Sequence, residues 1–264
     1  MKVCSIASGS SGNCIYVGDG KNHILIDAGI SRKRIVDGLA QIGVQPQELD
    51  AIFVTHEHSD HIQGIHMMVK MFGTPVFATG GTLDGICMKD TKGVIGRDKL
   101  YQLYADEPVS IGGLKIMPFR MSHDAAEPVC YSVESGGHKL GMATDLGKFD
   151  DYIVDHLAGS DILLLEANHD ISMLEAGKYP YPLKRRILGS RGHLSNEDSG
   201  RLLCQLAGKR LRHVFLAHLS KENNYPQLAY EAVKCQIWEE MGINKLPFEM
   251  AVAERDKPSP MVTL

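Results

Sequence analysis

Ile52-Phe53-Val54-Thr55-His56-Glu57-His58-Ser59-Asp60-His61 is the stretch on which the reading of this chain turns. Three imidazoles and an aspartate fall within six residues, where an apolar strand ends and a helix begins. On an extended turn alternate side chains point the same way, which sends His56 and His58 toward one metal ion. Asp60 and His61, adjacent at the helix start, then face a second ion beside it. The bland alternative is a polar loop rich in histidine by chance. H-x-H-x-D-H directly after a buried strand fits it poorly.

Four protein groups cannot complete the coordination of two ions, so further ligands are expected at strand ends on the same rim. Three residues meet that condition. His123 follows the strand-like run 114–119, Asp145 follows 139–143 and His218 follows 214–217.

The rest of the chain supplies the frame. Short apolar runs at 3–7, 14–17, 23–27, 51–55 and 75–78 read as strands. Ile35, Leu39 and Ile42 make one helical face over 31–42, with Ser31 as its cap. A second helix is expected over 60–72. From 99 to 147 the pattern turns to hairpins, with Gly112-Gly113 and Gly136-Gly137 as turn pairs. A buried strand at 161–165, helices near 170–188 and 196–207, a strand at 214–217, a helix at about 225–241 and a strand at 248–253 precede a polar tail. Two mixed sheets covered by helices are the expected outcome.

Composition removes several classes. The 264 residues are 44% hydrophobic and 23% charged, as in ordinary globular proteins. No apolar run approaches the roughly 20 residues that cross a bilayer. Met1-Lys2-Val3-Cys4 leads straight into a strand pattern without a basic-then-apolar leader, so a cytoplasmic protein is expected. Six cysteines scattered singly read as buried reduced thiols.

With the ligand pattern in hand, the chain resembles the metallo-β-lactamase superfamily, whose five motifs map in order. Asp27 matches the first, an aspartate bracing the histidine loop from behind. His56-x-His58-x-Asp60-His61 is the second, and His123, Asp145 and His218 are the remaining three. The resemblance implies one ion on His56, His58 and His123, another on Asp60, His61 and His218, and Asp145 bridging. It also implies the αβ/βα four-layer sandwich, two mixed β-sheets flanked by helices, spanning residues 1–264 as a single domain. His58, where oxygen-reducing flavo-di-iron members carry Glu, points to a hydrolase. Four longer strings, Ala7-Ser8-Gly9-Ser10-Ser11-Gly12-Asn13, Glu166-Ala167-Asn168-His169-Asp170, Gly192-His193-Leu194-Ser195-Asn196-Glu197-Asp198 and Ala217-His218-Leu219-Ser220, resemble the YycJ/WalJ group. That group is regarded as bacterial DNA exonucleases acting 5′→3′ on duplex DNA.

Two adjacent dications lower the pKa of a shared water, hold a hydroxide as nucleophile and offset charge on a phosphate under attack. Imidazole-rich ligation favours Zn²⁺, and carboxylate-plus-imidazole sites also take Mn²⁺ or Fe²⁺. Asp60 is both ligand and catalytic candidate. Ser195 caps the next helix, with Asp198 at its third position, which makes an anion site beside His193. Gly-His-Leu-Ser also resembles the phosphate-binding histidine motif of β-CASP nucleases. Only 72 residues separate Asp145 from His218, too few for a β-CASP insertion. His193 either contacts phosphate or merely packs. His169 contacts substrate, protonates the leaving group or, like Asn168, supports the ligands. Ser8, Ser10 and Asn13 belong either to a tight turn or to a phosphate cradle.

The net charge of −4 speaks against a polybasic nucleic-acid binder, yet it is unevenly spread. Nine basic residues, Arg185, Arg186 and Arg191 among them, face two acidic ones over 178–212, so this stretch carries +7 and the remainder −11. It reads as a DNA-tracking surface or as solvated helix faces. A metal-dependent hydrolase of a small molecule, such as a cyclic phosphodiester, thioester or lactam-like ester, is the competing activity, and a metal-braced scaffold the non-enzymatic one.

Overall fold

The computed structural model describes residues 1–91 and 93–264. In chain order the elements begin β1 (Lys2–Ala7), β2 (Cys14–Gly18), β3 (His23–Ile26), α1 (Arg32–Gln41), β4 (Ala51–Phe53), α2 (Ser59–Ile62) and α3 (Ile65–Phe72). Then come β5 (Val76–Thr79), α4 (Gly80–Lys89), β6 (Leu100–Leu103), β7 (Val109–Ile111), β8 (Leu114–Arg120) and β9 (Val129–Ser135). After them run β10 (His138–Ala143), α5 (Asp151–Leu157), β11 (Ile162–Glu166), α6 (Ile171–Ala176), α7 (Tyr181–Ile187) and α8 (Asn196–Leu206). The chain closes with β12 (His213–Ala217), α9 (Pro226–Met241), β13 (Glu249–Val252) and β14 (Val262–Thr263). The strands form two mixed seven-stranded sheets, with helices flanking them.

The chain divides into two compact units. The first comprises Met1–Arg120, Ala125–His138 and Glu254–Leu264. Its sheet runs β14-β1-β2-β3-β4-β5-β6, antiparallel from β14 to β3 and parallel from β3 to β6. β4 is buried along its whole length, which is why its sequence is an uninterrupted apolar run. Ile35 and Leu39 of α1 and Met68 of α3 pack into the same core as Leu25 and Ile52. Ser31 caps α1 by accepting from the Arg34 N–H. β7, β8 and β9 form an antiparallel meander.

The second unit comprises Met121–Asp124 and Lys139–Ala253. β10, β11, β12 and β13 pair in parallel, with Leu165 opposite both Ala143 and Leu216. Residues 145, 166 and 218 lie at or just past the C-terminal ends of these strands, where ligands gather in parallel sheets.

The structure departs from the sequence-based expectation at several points, among them α5, which the sequence reading lacks. The helix expected over 60–72 is two helices, because Gly64 donates to the Ala28 carbonyl at 2.7 Å and breaks the ladder. The strand 100–103 is not part of a hairpin. It pairs in parallel with β5, and the crossover is α4, which the turn-like Gly80-Gly81 concealed. The helix near 170–188 breaks into α6 and α7 around Gly177 and Pro180. The polar tail ends in β14, which pairs with β1. All six cysteines are free, yet Cys87 and Cys235 are exposed rather than buried. Among the described residues no helix is long and apolar enough to cross a membrane.

Candidate metal centre

In the first unit the histidine loop sits on a carboxylate. Asp27, wholly buried at the end of β3, receives the Thr55 N–H at 2.9 Å, the Thr55 hydroxyl at 3.0 Å and His61 Nδ1–H at 2.7 Å. The same hydroxyl accepts from His56 Nδ1 at 3.0 Å. An ionised carboxylate only accepts, so this chain of bonds sets both tautomers: His56 and His61 carry their protons on Nδ1, and each keeps a basic Nε2. Carboxylate-braced imidazoles of this kind are the usual support of a metal-ligating histidine. The rings converge, with centroids 4.5 Å apart for His56 and His58 and 4.1 Å for His56 and His61, and the Asp60 carboxylate stands 3.5 Å from His61 Nε2.

The local chain explains how the loop is held. Gly29 lies so close beneath it that a Cβ there would sit 1.6 Å from the Asp60 carbonyl oxygen. Ala28 N–H donates to the His61 carbonyl and Asn13 N–H to the Asp60 carbonyl. Asp27 adopts a left-handed φ of 60°, a strained conformation of the sort that collects at functional sites.

The second unit repeats the arrangement with different residues. Glu166, wholly buried at the end of β11, receives His193 Nδ1 and His218 Nδ1 at 2.8 Å each on Oε1. Its Oε2 accepts from Leu146 N–H at 2.7 Å and Leu194 N–H at 3.2 Å. Burial alone would raise this carboxyl, but His193 and His218 outweigh it and hold the pKa well below the usual range. For His193 burial opposes the charge, and Glu166 prevails and raises its pKa. Asp145 Oδ1 lies 3.5 Å from His218 Nε2, 3.6 Å from His193 Nδ1 and 3.9 Å from His123 Nε2. Ligand-type atoms of Asp145, Glu166, His193 and His218 all fall within 4.8 Å of one another. Asp145 and His218 both take left-handed φ, 60° and 55°. This donor set, imidazoles and carboxylates with their outer atoms already braced, suits a divalent cation.

The remaining expected residues fall into place around these clusters. His123 donates from Nδ1 to the Gly192 carbonyl at 3.2 Å, and burial depresses its pKa against the pull of Asp145. Asn168 supports His218 by donating to its carbonyl at 2.9 Å. His169 is 1% exposed, with neither ring nitrogen hydrogen-bonded, and burial pushes its pKa down to about 4. Ser195 caps α8, accepting from the Asp198 N–H at 3.0 Å. Arg191 clasps the His123 carbonyl through Nε and Nη2 at 3.1 and 3.0 Å, and Arg186 pairs with Asp124 in a two-point contact. Arg185 sits over the Tyr181 ring, 6.0 Å from its centroid. Lys184, Arg201 and Arg210 bond to Glu175, Asp198 and Asp161. Much of the basic stretch is therefore engaged with the protein itself. Residues 8–13 form a tight turn closed by Gly12 N–H to the Gly9 carbonyl at 2.9 Å. Ser8 is buried, Asn13 reaches His61 Nε2 at 3.2 Å, and Ser10 and Ser11 face outward.

One residue, Glu166, escapes the reading of the sequence. The available signal for it is a carboxylate closing the buried apolar run 162–165. Asn224 bridges Asn196 and the carbonyls of Ala167 and Asn168, a network invisible before folding.

With the geometry described, comparison adds kinship. The β-lactamase superfamily domain model matches residues 22–219. Exodeoxyribonuclease WalJ of Streptococcus pneumoniae serotype 2 is 34% identical over 265 residues, covering 100% of this chain and 98% of that one. Exodeoxyribonuclease YycJ of Bacillus anthracis is 36% identical over 237 residues, covering 90% and 89%. Among solved structures, the metallo-β-lactamase fold protein YhfI from Bacillus subtilis superposes with a TM-score of 0.69 at 16% identity, covering 98% of each chain. At that identity the likeness is one of fold.

Proposed function

The chain belongs to the metallo-β-lactamase superfamily, in its WalJ/YycJ-like group, and is a metal-dependent hydrolase; from that premise we propose that it is a 5′→3′ exonuclease on double-stranded DNA. The observation that carries the reading is the pair of buried carboxylates, Asp27 and Glu166, each holding imidazoles of ligand type in a set tautomer. The relatives' shared name, exodeoxyribonuclease, supports the substrate class.

Two divalent ions, Zn²⁺, Mn²⁺ or Fe²⁺, would be held by His56, His58, Asp60, His61, His123, Asp145 and His218. When bound they supply an activated water and Lewis-acid stabilisation of the scissile phosphate. The protein's own groups do the rest. Asp60 orients the water. His193, whose pKa Glu166 raises, donates to a phosphate oxygen. His169, buried and neutral at pH 7, supports the ligands rather than protonating the leaving group. Ser10 and Arg185, both at the surface, contact the DNA backbone. A single metallo-β-lactamase-fold domain over residues 1–264, without a β-CASP insertion, belongs to the same proposal. Six free cysteines suit a reducing compartment such as the cytoplasm.

The test is a duplex labelled at the 5′ or the 3′ end, incubated with Mn²⁺ or Zn²⁺. Stepwise loss from the 5′ end, abolished in His218→Ala, is expected. Absence of cleavage under every metal, with His218→Ala indistinguishable from the wild type, removes the proposal.

A further inference from the structure

The first unit contains a pocket of about 330 Å³ that the metal-centre reading leaves unused. It opens beside Asp60 and lies between the turn at Ser10 and Ser11, the helix pair α2 and α3, and the end of α4. Its volume is near the lower end of the roughly 300–1,000 Å³ that small-ligand sites occupy. Ile65 and Ile86 form a buried apolar wall and Ile95 a half-exposed one, while the Gln63 amide and the serine hydroxyls sit at its polar edge.

Charge decides what such a pocket takes. Among the described residues Lys89 and His66 border it, and both are engaged by the protein. Lys89 donates to the Glu57 carbonyl at 2.7 Å, and His66 pairs with Asp90 at 3.1 Å. Asp60 and Asp90 add negative charge to the lining. A phosphate inside would meet repulsion from these carboxylates without a committed counter-ion among the described residues. A neutral planar heterocycle meets none: its faces lie against isoleucine, and its edge finds in Gln63 an amide that both donates and accepts. The phosphate of such a ligand stays outside, at the Asp60 end.

We propose that this pocket receives the base of the terminal nucleotide of the strand being degraded. The inference rests on the exonuclease reading for its substrate and gives that reading a physical reason for end-selectivity. A pocket large enough for one nucleoside unit accepts a strand end and not an uninterrupted duplex.

The test uses the metal-loaded full-length protein and calorimetric titration of two probes, deoxyadenosine 5′-monophosphate and deoxyribose 5-phosphate, which differ only in the base. The wild type is expected to bind the nucleotide about tenfold more tightly or better, the scale of one well-packed base. Ile95→Trp, which fills the pocket from a half-exposed position, should erase that preference and leave deoxyribose 5-phosphate binding unchanged. Gln63→Ala, on an exposed side chain, should reduce it and covers the case in which the tryptophan variant fails to fold. Equal affinity of the wild type for both probes overturns the proposal, as does a preference that survives both substitutions. A protein that cleaves no DNA yet prefers the nucleotide keeps the pocket and loses the exonuclease reading. A protein that digests duplex with no base preference does the reverse.

Discussion

Glu166→Gln isolates what a buried carboxylate contributes to this site, because the replacement keeps size and shape and removes only charge and one acceptor. Four N–H donors converge on Glu166, two imidazole Nδ1–H on Oε1 and two backbone N–H on Oε2. A glutamine has one oxygen and one NH₂, so in either orientation one pair of donors faces another donor. Two hydrogen bonds to a charged acceptor are lost, at about 1.5–3 kcal/mol each, hence about 3–6 kcal/mol if nothing rearranges. The backbone donors cannot change, whereas an imidazole can move its proton to Nε2. The glutamine oxygen therefore turns to Leu146 and Leu194, and its NH₂ forces the other tautomer on His193 and His218. That relieves part of the stability loss and places a proton on the Nε2 with which His218 would ligate. Metal affinity should fall about 10- to 100-fold, the usual cost of losing a carboxylate behind a ligating histidine. Thermal stability should drop by less than the unrearranged figure. Chelator competition on the purified variant gives the affinity, a thermal melt the stability and labelled-duplex digestion the activity. Wild-type affinity together with wild-type digestion would refute the reasoning, since Glu166 would then be a buried charge without consequence.

Three other expectations test separate links. Gly29→Ala drives a methyl group to 1.6 Å from the Asp60 carbonyl, so the variant should lose more than about 3 kcal/mol of stability and bind metal poorly; a melt and a metal titration both at wild-type values would contradict the packing. His169 has a folded pKa of about 4, below its unfolded value near 6.5, so the unfolded chain binds the extra proton and stability declines as pH falls from 6.5 through 4, by up to about 3 kcal/mol. His169→Gln should flatten that limb in urea titrations across pH, and an unchanged slope would show that His169 is not the group responsible. Arg191→Ala removes the clasp on the His123 carbonyl and should lower kcat several-fold with little change in KM or in salt dependence. A raised KM with a shallower salt slope would instead make Arg191 a DNA contact.

The candidate metal ligands are legible because their chemistry is local. His56, His58, Asp60 and His61 announce themselves within six residues, and His123, Asp145 and His218 each follow an apolar run that ends where a sheet ends. Ser195 and Asp198 were legible as a cap for the same reason, since the bonds that realise it span three residues. Arg186 and Arg191 were not. Their charge invites a DNA surface, and only the folded chain shows Asp124 and the His123 carbonyl, more than 60 positions away in sequence, taking their hydrogen bonds. Glu166 stayed silent because burial and an all-apolar strand make a single carboxylate look like an exception, until His193 and His218 arrive beside it.

What this sequence determined alone is which atoms are available for chemistry and that they sit at strand ends, because hydrophobic periodicity and ligand identity are properties of short segments. Which of those atoms carry protons, which charges are already spent and where a pocket opens beside Asp60 were decided by tertiary structure. Hydrogen-bond partners, burial and empty volume arise from residues far apart in the chain, and no window of sequence contains them.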